Sequence, residues 1–180
     1  IPNNNFRNFL IQKYPACFNA SGMMDTTCSA ILNETSMTMT VQVADWQGFQ
    51  YFTYLRQLTI NSYSPALPVL PAGLLFLHIN NGSAAGLPAL PAGLKKLTVN
   101  SFDITTLPAL PPTLTHLECS YNNNLSSLPA LPATLTYLKC YGNKLTSLPA
   151  LPPLLDTLNC QNNDSIAVLP ALPAGLKALN

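Results

Sequence analysis

One hydrophobic pattern recurs along most of the chain. The pentapeptide Leu-Pro-x-Leu-Pro returns every 20 or 21 residues, and a second pattern, Leu-x-x-Leu-x-apolar, lies between its copies. A fixed period of this length indicates a solenoid, in which each turn buries its apolar side chains against the neighbouring turns. The pentapeptides begin at Leu67, Leu87, Leu107, Leu128, Leu148 and Leu169, and the second pattern begins at Leu55, Leu74, Leu94, Leu114, Leu135 and Leu155.

Each copy predicts one short strand and one extended return segment. In the strand, the second Leu and the next apolar residue point inward, while the residues between them point outward. The two prolines of the pentapeptide remove backbone donors and fix φ near polyproline values, which excludes a full helix on the return path. The sequence therefore predicts an α/β-type leucine-rich-repeat solenoid with a parallel concave β-sheet and an extended, polyproline-like convex side. Residues 55–180 form the repeats, in six units with the last one truncated, and residues 1–54 form an N-terminal cap.

The position eight residues after the first Leu of each copy divides the repeats into two groups. In the later copies this position holds Asn, whose side-chain amide can satisfy backbone groups where the strand ends. We expect these side chains to form a ladder, and we expect locally altered turns in the earlier copies. The later copies hold Asn122, Asn143 and Asn163, and the earlier ones hold Tyr63, Gly82 and Phe102.

The first 54 residues predict a cap of mixed helix and strand. Phe6, Phe9 and Leu10 have helical spacing, and Pro15 closes that segment. The alternation of residues 37–43, from Met37 to Val43, predicts a strand. Trp46, Phe49, Phe52 and Leu55 predict an irregular first turn that leads into the repeats.

The cysteines fall into two sets. Cys17 and Cys28 lie in a loop of the cap and are candidates for a disulfide that closes a short loop. Cys119, Cys140 and Cys160 occupy the same inward position of consecutive strands, where either a metal site or a plain core position is conceivable. Zinc sites usually combine closely spaced pairs with His, so we interpret this column as small core residues and predict no metal and no cofactor.

Composition narrows the classes of partner. Only 8% of the residues are charged and the net charge is +1, so the electrostatic attraction that drives nucleic-acid binding is missing. A Pro or a polar residue interrupts every apolar stretch before it could span a bilayer, so we expect no membrane insertion. The chain starts at Ile1 and stops at Asn180 within a repeat, and we expect it to be a piece of a longer protein.

The strand register also predicts the concave surface. Its aromatic side chains offer the contact area that dominates interface hot spots, and its histidines and charged groups add polar contacts. Glu118 and Lys139, on adjacent strands, are positioned to form an ion pair. The outward columns are Gln57, Phe76, Lys96, His116, Tyr137 and Thr157; Thr59, His78, Thr98, Glu118, Lys139 and Asn159; and Asn61, Asn80, Asn100, Ser120, Tyr141 and Gln161. The candidate binding residues are Phe76, His78, Lys96, His116, Glu118, Tyr137, Lys139 and Tyr141.

Units such as LPALPATLTYLKCYGNKLTS resemble the short bacterial leucine-rich repeats of YopM-type and IpaH-type effectors. They are more similar still to the Cys-bearing repeats of secreted Bacteroidota surface proteins, and residues 1–28 resemble the cap that precedes those repeats. The resemblance implies a secreted or cell-surface binding module, sometimes joined to a catalytic or sorting domain. In IpaH-type effectors, a ubiquitin-ligase domain follows the repeats.

These features together predict a non-enzymatic module that recognises a protein or a glycan through its concave face. His116 and Glu118 could be read as a base and its orienting carboxylate, but both project into solvent without a nucleophile beside them, so we predict no catalytic residues. Two alternatives stay open. The chain could be a structural spacer or adhesive stalk without a specific site, or the substrate-recognition arm of a bacterial effector with a downstream catalytic domain.

Overall fold

The computed structural model describes residues 5–43, 45–61, 67–82 and 86–180. Their strands form one eight-stranded parallel sheet in which the spatial order follows the chain order. This arrangement confirms the solenoid, because each strand pairs with the strand of the next repeat. The strands are β1 Ser36–Met39, β2 Gln57–Ile60, β3 Phe76–Asn80, β4 Lys96–Asn100, β5 His116–Glu118, β6 Tyr137–Lys139, β7 Thr157–Asn159 and β8 Ala178–Leu179.

The leucine columns form the core, as the sequence predicts. Leu97, Leu117, Leu138 and Leu158 lie in register on successive strands and are fully buried. Burial of each such side chain stabilises the fold by about 1.5 to 3 kcal/mol, and it exists only where neighbouring turns stack.

The convex side is extended, which confirms the polyproline-like return path. Between β2 and β8 the described residues contain turns and extended segments but no helix. Side chains as well as backbone hold adjacent convex segments together. The Thr134 hydroxyl donates to Pro112 O at 2.7 Å or Leu114 O at 2.8 Å, and Thr113 makes the matching contacts one turn earlier.

The asparagine ladder is present in the later repeats. The Asn143 carboxamide donates to Cys119 O at 2.9 Å and Cys140 O at 2.7 Å, and it accepts the Asn122 N–H at 2.8 Å. Asn163 repeats this pattern one turn later, where it donates to Cys140 O and Cys160 O and accepts the Leu145 N–H. Each side chain therefore joins two turns of the solenoid through buried hydrogen bonds.

The earlier repeats fill the same position with apolar atoms. Phe102 is fully buried, and a Cβ atom at Gly82 would lie 1.9 Å from Phe102 Cε2. The ring of one repeat therefore occupies the space that the missing side chain of the previous repeat leaves open. Asp103, with φ of 58°, alters this turn further, because no residue at the matching place after Asn122, Asn143 or Asn163 has positive φ. Tyr63 lies outside the described residues.

The cap contains the expected helix, α1 Asn5–Lys13, followed by the 3₁₀ helix Pro15–Cys17 and the short helix α2 Ser29–Leu32. Phe6 packs on Trp46 and Phe49, with ring centroids 5.3 and 6.2 Å apart. A second 3₁₀ helix, Phe49–Tyr51, forms the irregular first turn. These aromatic side chains cover the amino-terminal end of the leucine core.

The cap strand is shorter than the alternation over residues 37–43 predicts. β1 ends at Met39 because its partner β2 ends opposite it at Ile60, and the Asn61 N–H makes a last bond to Met39 O. Val41 and Val43 leave the sheet but still pack into the core. A disulfide joins Cys17, the last residue of the first 3₁₀ helix, to Cys28, the residue before α2.

Candidate functional site

The concave face is built as the register predicts. Gln57, Phe76, Lys96, His116, Tyr137 and Thr157 pair in one row across the sheet, and the row from Thr59 to Asn159 pairs in the next. The structure therefore places seven of the eight candidate residues on one face, and the eighth, Tyr141, lies two residues after the end of β6. Their role in binding stays a prediction.

Two residues of the outward columns are buried, which corrects the expectation that every member faces solvent. Thr98 is 2% exposed and Ser120 is fully buried. Each is a short side chain flanked in its column by longer ones, so the neighbouring side chains cover it. Thr98 lies between His78 and Glu118.

The carboxyl-terminal half of the face carries an aromatic cluster, which we call the tyrosine cluster: His116, Tyr121, Tyr137, Lys139 and Tyr141. The His116 and Tyr137 rings stack with centroids 5.5 Å apart, and the Lys139 ammonium lies 5.3 Å from the Tyr137 ring centre. Tyr121 and Tyr141 meet edge to face at 4.8 Å. Such contacts hold large amphipathic side chains in place before a partner arrives.

Sequence reasoning missed Tyr121. The residue just before the ladder position has positive φ in each described repeat that ends in such a turn, at Asn81, Ser101, Tyr121, Gly142 and Asn162. Gly and Asn tolerate this left-handed conformation, whereas a residue such as Tyr is strained there by about 1 to 2 kcal/mol. Tyr121 could therefore have been noticed in the sequence, because it is an aromatic residue at a position where the other repeats have Asn, Ser or Gly.

The amino-terminal half of the face contains a depression of about 360 Å³, which we call the groove. Phe76 is 43% exposed at its wall, and the Asn80 amide nitrogen lies 2.5 Å from His78 Nε2. Partial burial lowers the pKa of His78, with Glu118 raising it and Lys96 lowering it. The groove is lined by Gln57, Thr59, Phe76, His78, Lys96 and Thr98, above Leu58 and Leu77.

The expected ion pair between Glu118 and Lys139 is wrong. The two residues are in register, but no ion pair joins them within the described residues. Asn100 donates to Glu118 Oε1 at 3.1 Å, and the Lys139 ammonium lies over Tyr137. Glu118 and Lys139 thus contact the Asn100 amide and the Tyr137 ring instead of each other, because an exposed ion pair contributes little to stability.

His116 and Glu118 do not contact each other as a base and its carboxylate would. The Nδ1 atom of His116 lies 2.9 Å from the Thr115 hydroxyl, and its ring stacks on Tyr137. The Glu118 carboxylate accepts from Asn100 instead. This pair therefore lacks the contact that a base and its orienting carboxylate share.

The cysteine column lies in the core. Cys119 and Cys140 are fully buried, and Cys160, which directly follows β7, is partly exposed. Burial raises the pKa of the Cys140 thiol to about 12 and raises that of Cys119 as well. Within the described ranges, no three His, Cys, Asp or Glu side chains converge as metal ligands would.

The fold defines a class: the chain is a leucine-rich-repeat solenoid. It is similar to the solved structure of YopM, a leucine-rich effector protein from Yersinia pestis, with 30% identity and a TM-score of 0.66 over 73% of this chain and 42% of that one. It is also similar to YopM from Yersinia enterocolitica WA-314, with 31% identity and a TM-score of 0.50 over 72% of this chain and 38% of that one. The chain thus spans about two fifths of the length of these proteins.

No protein-family model matches the chain, and no curated protein matches it. In the part of the chain that the structure describes, no helix has the length and apolar character needed to cross a membrane. The leucine-rich-repeat fold suggests a protein-interaction module, so the exposed side chains of the concave face are the place to look for its site.

Proposed function

We propose that this chain is a non-enzymatic, secreted or surface-displayed module that binds a protein partner through its concave face. The observation that carries the proposal is the tyrosine cluster. Tyr137 and Tyr141 are half-buried and held by ring contacts with His116 and Tyr121, so they lose little conformational freedom when a partner covers them. Partly ordered Tyr side chains are typical of binding hot spots.

The test is a substitution series on the isolated chain. The wild-type chain is used to capture a partner from extracellular and cell-surface extracts, and the purified partner is then titrated against variants. We expect Tyr137→Ala and Tyr141→Ala each to weaken binding by roughly 30-fold, the factor that corresponds to a hot spot of about 2 kcal/mol.

Tyr54→Ala is the matched control, because Tyr54 is 56% exposed and lies outside the concave strands. This variant should bind as the wild type does. All variants should keep the thermal midpoint of the wild type within a few degrees. Unchanged affinity of both concave variants would refute the placement, and failure of the wild-type chain to capture any partner would favour a structural spacer without a specific site.

A second candidate is the recognition arm of an effector, and the similarity to YopM favours it. The two candidates share the concave binding face and differ in where the protein acts. Sequencing the complete gene distinguishes them: a sorting tail would support surface display, and a ligase domain with a nucleophilic cysteine would support the effector.

A further inference from the structure

We infer that the groove receives an acidic side chain from an extended segment of the partner protein. The inference rests on the proposed function and specifies the partner of the same face. Four observations support it: the charge of the surrounding chain, the absence of a counter-ion for Lys96, the donor set of the groove and its apolar wall.

The first observation is the charge asymmetry of the sequence around the groove. Between Asp45 and Asp103 the chain contains no Asp or Glu, but it does contain Arg56, Lys95 and Lys96. This stretch includes the three strands β2, β3 and β4 that form the groove. Of these cations Lys96 lines the groove, and it is the residue there that complements a negatively charged group.

The second observation is the state of the Lys96 ammonium. Lys96 is exposed and lines the groove, and it makes no ion pair or side-chain hydrogen bond with any other described residue. The carboxylate nearest in the sheet, Glu118, is bound instead to Asn100, at the other end of β4. Lys96 and Asn100 are four positions apart in β4, a Cα distance of about 13 Å, so Glu118 is directed away from Lys96.

The third observation is the set of donors. The Asn80 amide nitrogen contacts His78 Nε2, and in the tautomer that accepts from this amide the neutral ring has its proton on Nδ1 as a donor. Gln57 and the hydroxyl of Thr59 add neutral donors, and none of the described residues that line the groove is acidic. A carboxylate, which only accepts hydrogen bonds when ionised, is the chemical group that fits this set.

The fourth observation is the shape and continuity of the groove. The exposed Phe76 ring gives it an apolar wall that can pack against the methylene groups of a glutamate or against a flanking apolar residue. The groove opens onto the same rows of the sheet that carry the tyrosine cluster. A segment that crosses the strands would therefore contact both regions, which favours an internal acidic residue over a chain terminus.

The experiment is an NMR titration of the isotopically labelled full chain with the capped peptide acetyl-Ala-Phe-Glu-Phe-Ala-amide and its glutamine counterpart. The glutamate peptide should shift the amide signals of Phe76, His78 and Lys96 saturably below about 5 mM, a range suited to weak complexes. It should bind about tenfold more tightly than the glutamine peptide, as expected when one charge-assisted hydrogen bond is lost.

The adjacent lysines provide a matched pair of variants. Lys96→Gln should abolish the preference for the glutamate peptide, whereas Lys95→Gln, which removes the same charge outside the groove, should leave most of it. Both residues are exposed, so neither variant is expected to unfold.

Three results would overturn the inference: equal binding of the two peptides, an equal effect of the two lysine variants, or no saturable shift of the groove signals. Glutarate that binds as tightly as the peptide would contradict the assignment to a protein segment. A captured partner that depends on Tyr137 but ignores Lys96→Gln would refute the acidic groove and leave the proposed function intact.

Discussion

The later repeats close their turns with hydrogen bonds, whereas the earlier repeats close them with apolar packing. In the later half, each ladder asparagine joins its own turn to the preceding one through buried carbonyls. In the earlier half, the Phe102 ring fills the space above Gly82. Both solutions serve the same backbone, because a left-handed residue precedes the position in each case.

At this position, therefore, the repeat does not require one residue type. It requires that the space be filled and that the nearby backbone groups be accommodated. A buried carboxamide satisfies the groups directionally and ties each turn to its neighbour. The Phe102 ring fills the volume, and it fits only because Gly82 has no side chain. The regular half should therefore be sensitive to the loss of hydrogen bonds, and the irregular half to changes in volume.

The largest effect is expected for Asn143→Ala in the regular half. This change leaves the buried Asn122 N–H without its partner, and it removes one hydrogen bond each from Cys119 O and Cys140 O, which still accept from Asn122 and Asn163. The free energy of unfolding should fall by about 4 kcal/mol, from roughly 1 to 3 kcal/mol for the unsatisfied N–H and about 1 kcal/mol for each of the two lost carbonyl bonds. Urea denaturation measures the loss, and hydrogen exchange should show faster opening at Asn122.

Asn123→Ala is the control for this prediction, because Asn123 is exposed. It should change the free energy of unfolding by less than about 0.5 kcal/mol. If the two variants were equally stable, the ladder would not be what holds the later turns together.

The next effect, in the irregular half, is expected for Gly82→Ala. The added methyl group would meet Phe102 Cε2 at 1.9 Å, so the ring must move, at a cost of about 2 to 3 kcal/mol. Phe102→Leu in the same chain should recover part of the loss, which a double-mutant cycle measures.

Gly86→Ala provides the control, since a Cβ atom there has no neighbour within 4 Å. Its stability should equal or slightly exceed that of the wild type. Strict additivity of the Gly82 and Phe102 changes would show that the two positions do not share one space.

A smaller effect, of about 1 to 2 kcal/mol, is expected for Gly142→Ala. Gly142 has φ of 68°, and a Cβ atom there would lie 2.8 Å from Tyr121 Cδ1. Both the left-handed backbone and the ring contact oppose the substitution. Thermal unfolding measures the loss, and Tyr121→Ala should reduce it; an undiminished loss would assign the whole cost to the backbone.

The smallest effect concerns the cap, which lies outside both halves. Burial opposes ionisation of Glu34, but hydrogen bonds from Tyr14, Lys13 and the Ser36 N–H outweigh it, so the pKa of Glu34 is lowered. A carboxyl whose pKa is lowered by folding stabilises the protein above its ordinary pKa, near 4.3, and loses that contribution as the pH falls through the folded value.

We therefore expect Glu34→Gln to be less stable than the wild type at pH 7 by up to about 1 kcal/mol, with the difference vanishing in acid. Urea denaturation at pH 7 and pH 3 measures it. The effect should add to that of Asn143→Ala, because the two sites share no partner. A difference that grew in acid would contradict the direction given for Glu34.

Periodicity alone predicted the parts of the fold that depend on repetition. The strand positions, the register of the outward columns and the ladder from Asn122 to Asn163 all follow from a spacing of 20 or 21 residues. Because equivalent residues of successive repeats pair in the parallel sheet, the repeat pattern predicts which residues lie next to each other in space.

Contacts between different residue types could not be predicted in this way. The Glu118 carboxylate contacts Asn100 instead of Lys139, and the burial of Thr98 depends on the length of the side chains beside it. Tyr121 escaped because alternation assumes extended backbone, and its φ of 57° turns the side chain out of that pattern. The cap strand shows the same limit, since pairing with β2 ended it at Met39.

The row that joins Phe76 to Tyr137 imposes a spacing on any chain laid across it. These residues occupy β3 and β6, and three steps between strands cover about 14.4 Å. An extended polypeptide advances about 13.6 Å in four residues, so side chains four positions apart have nearly the spacing of Phe76 and Tyr137. Side chains fewer positions apart do not reach both residues. Two anchors four positions apart are therefore the shortest motif that such a ligand could present to both aromatic side chains at once.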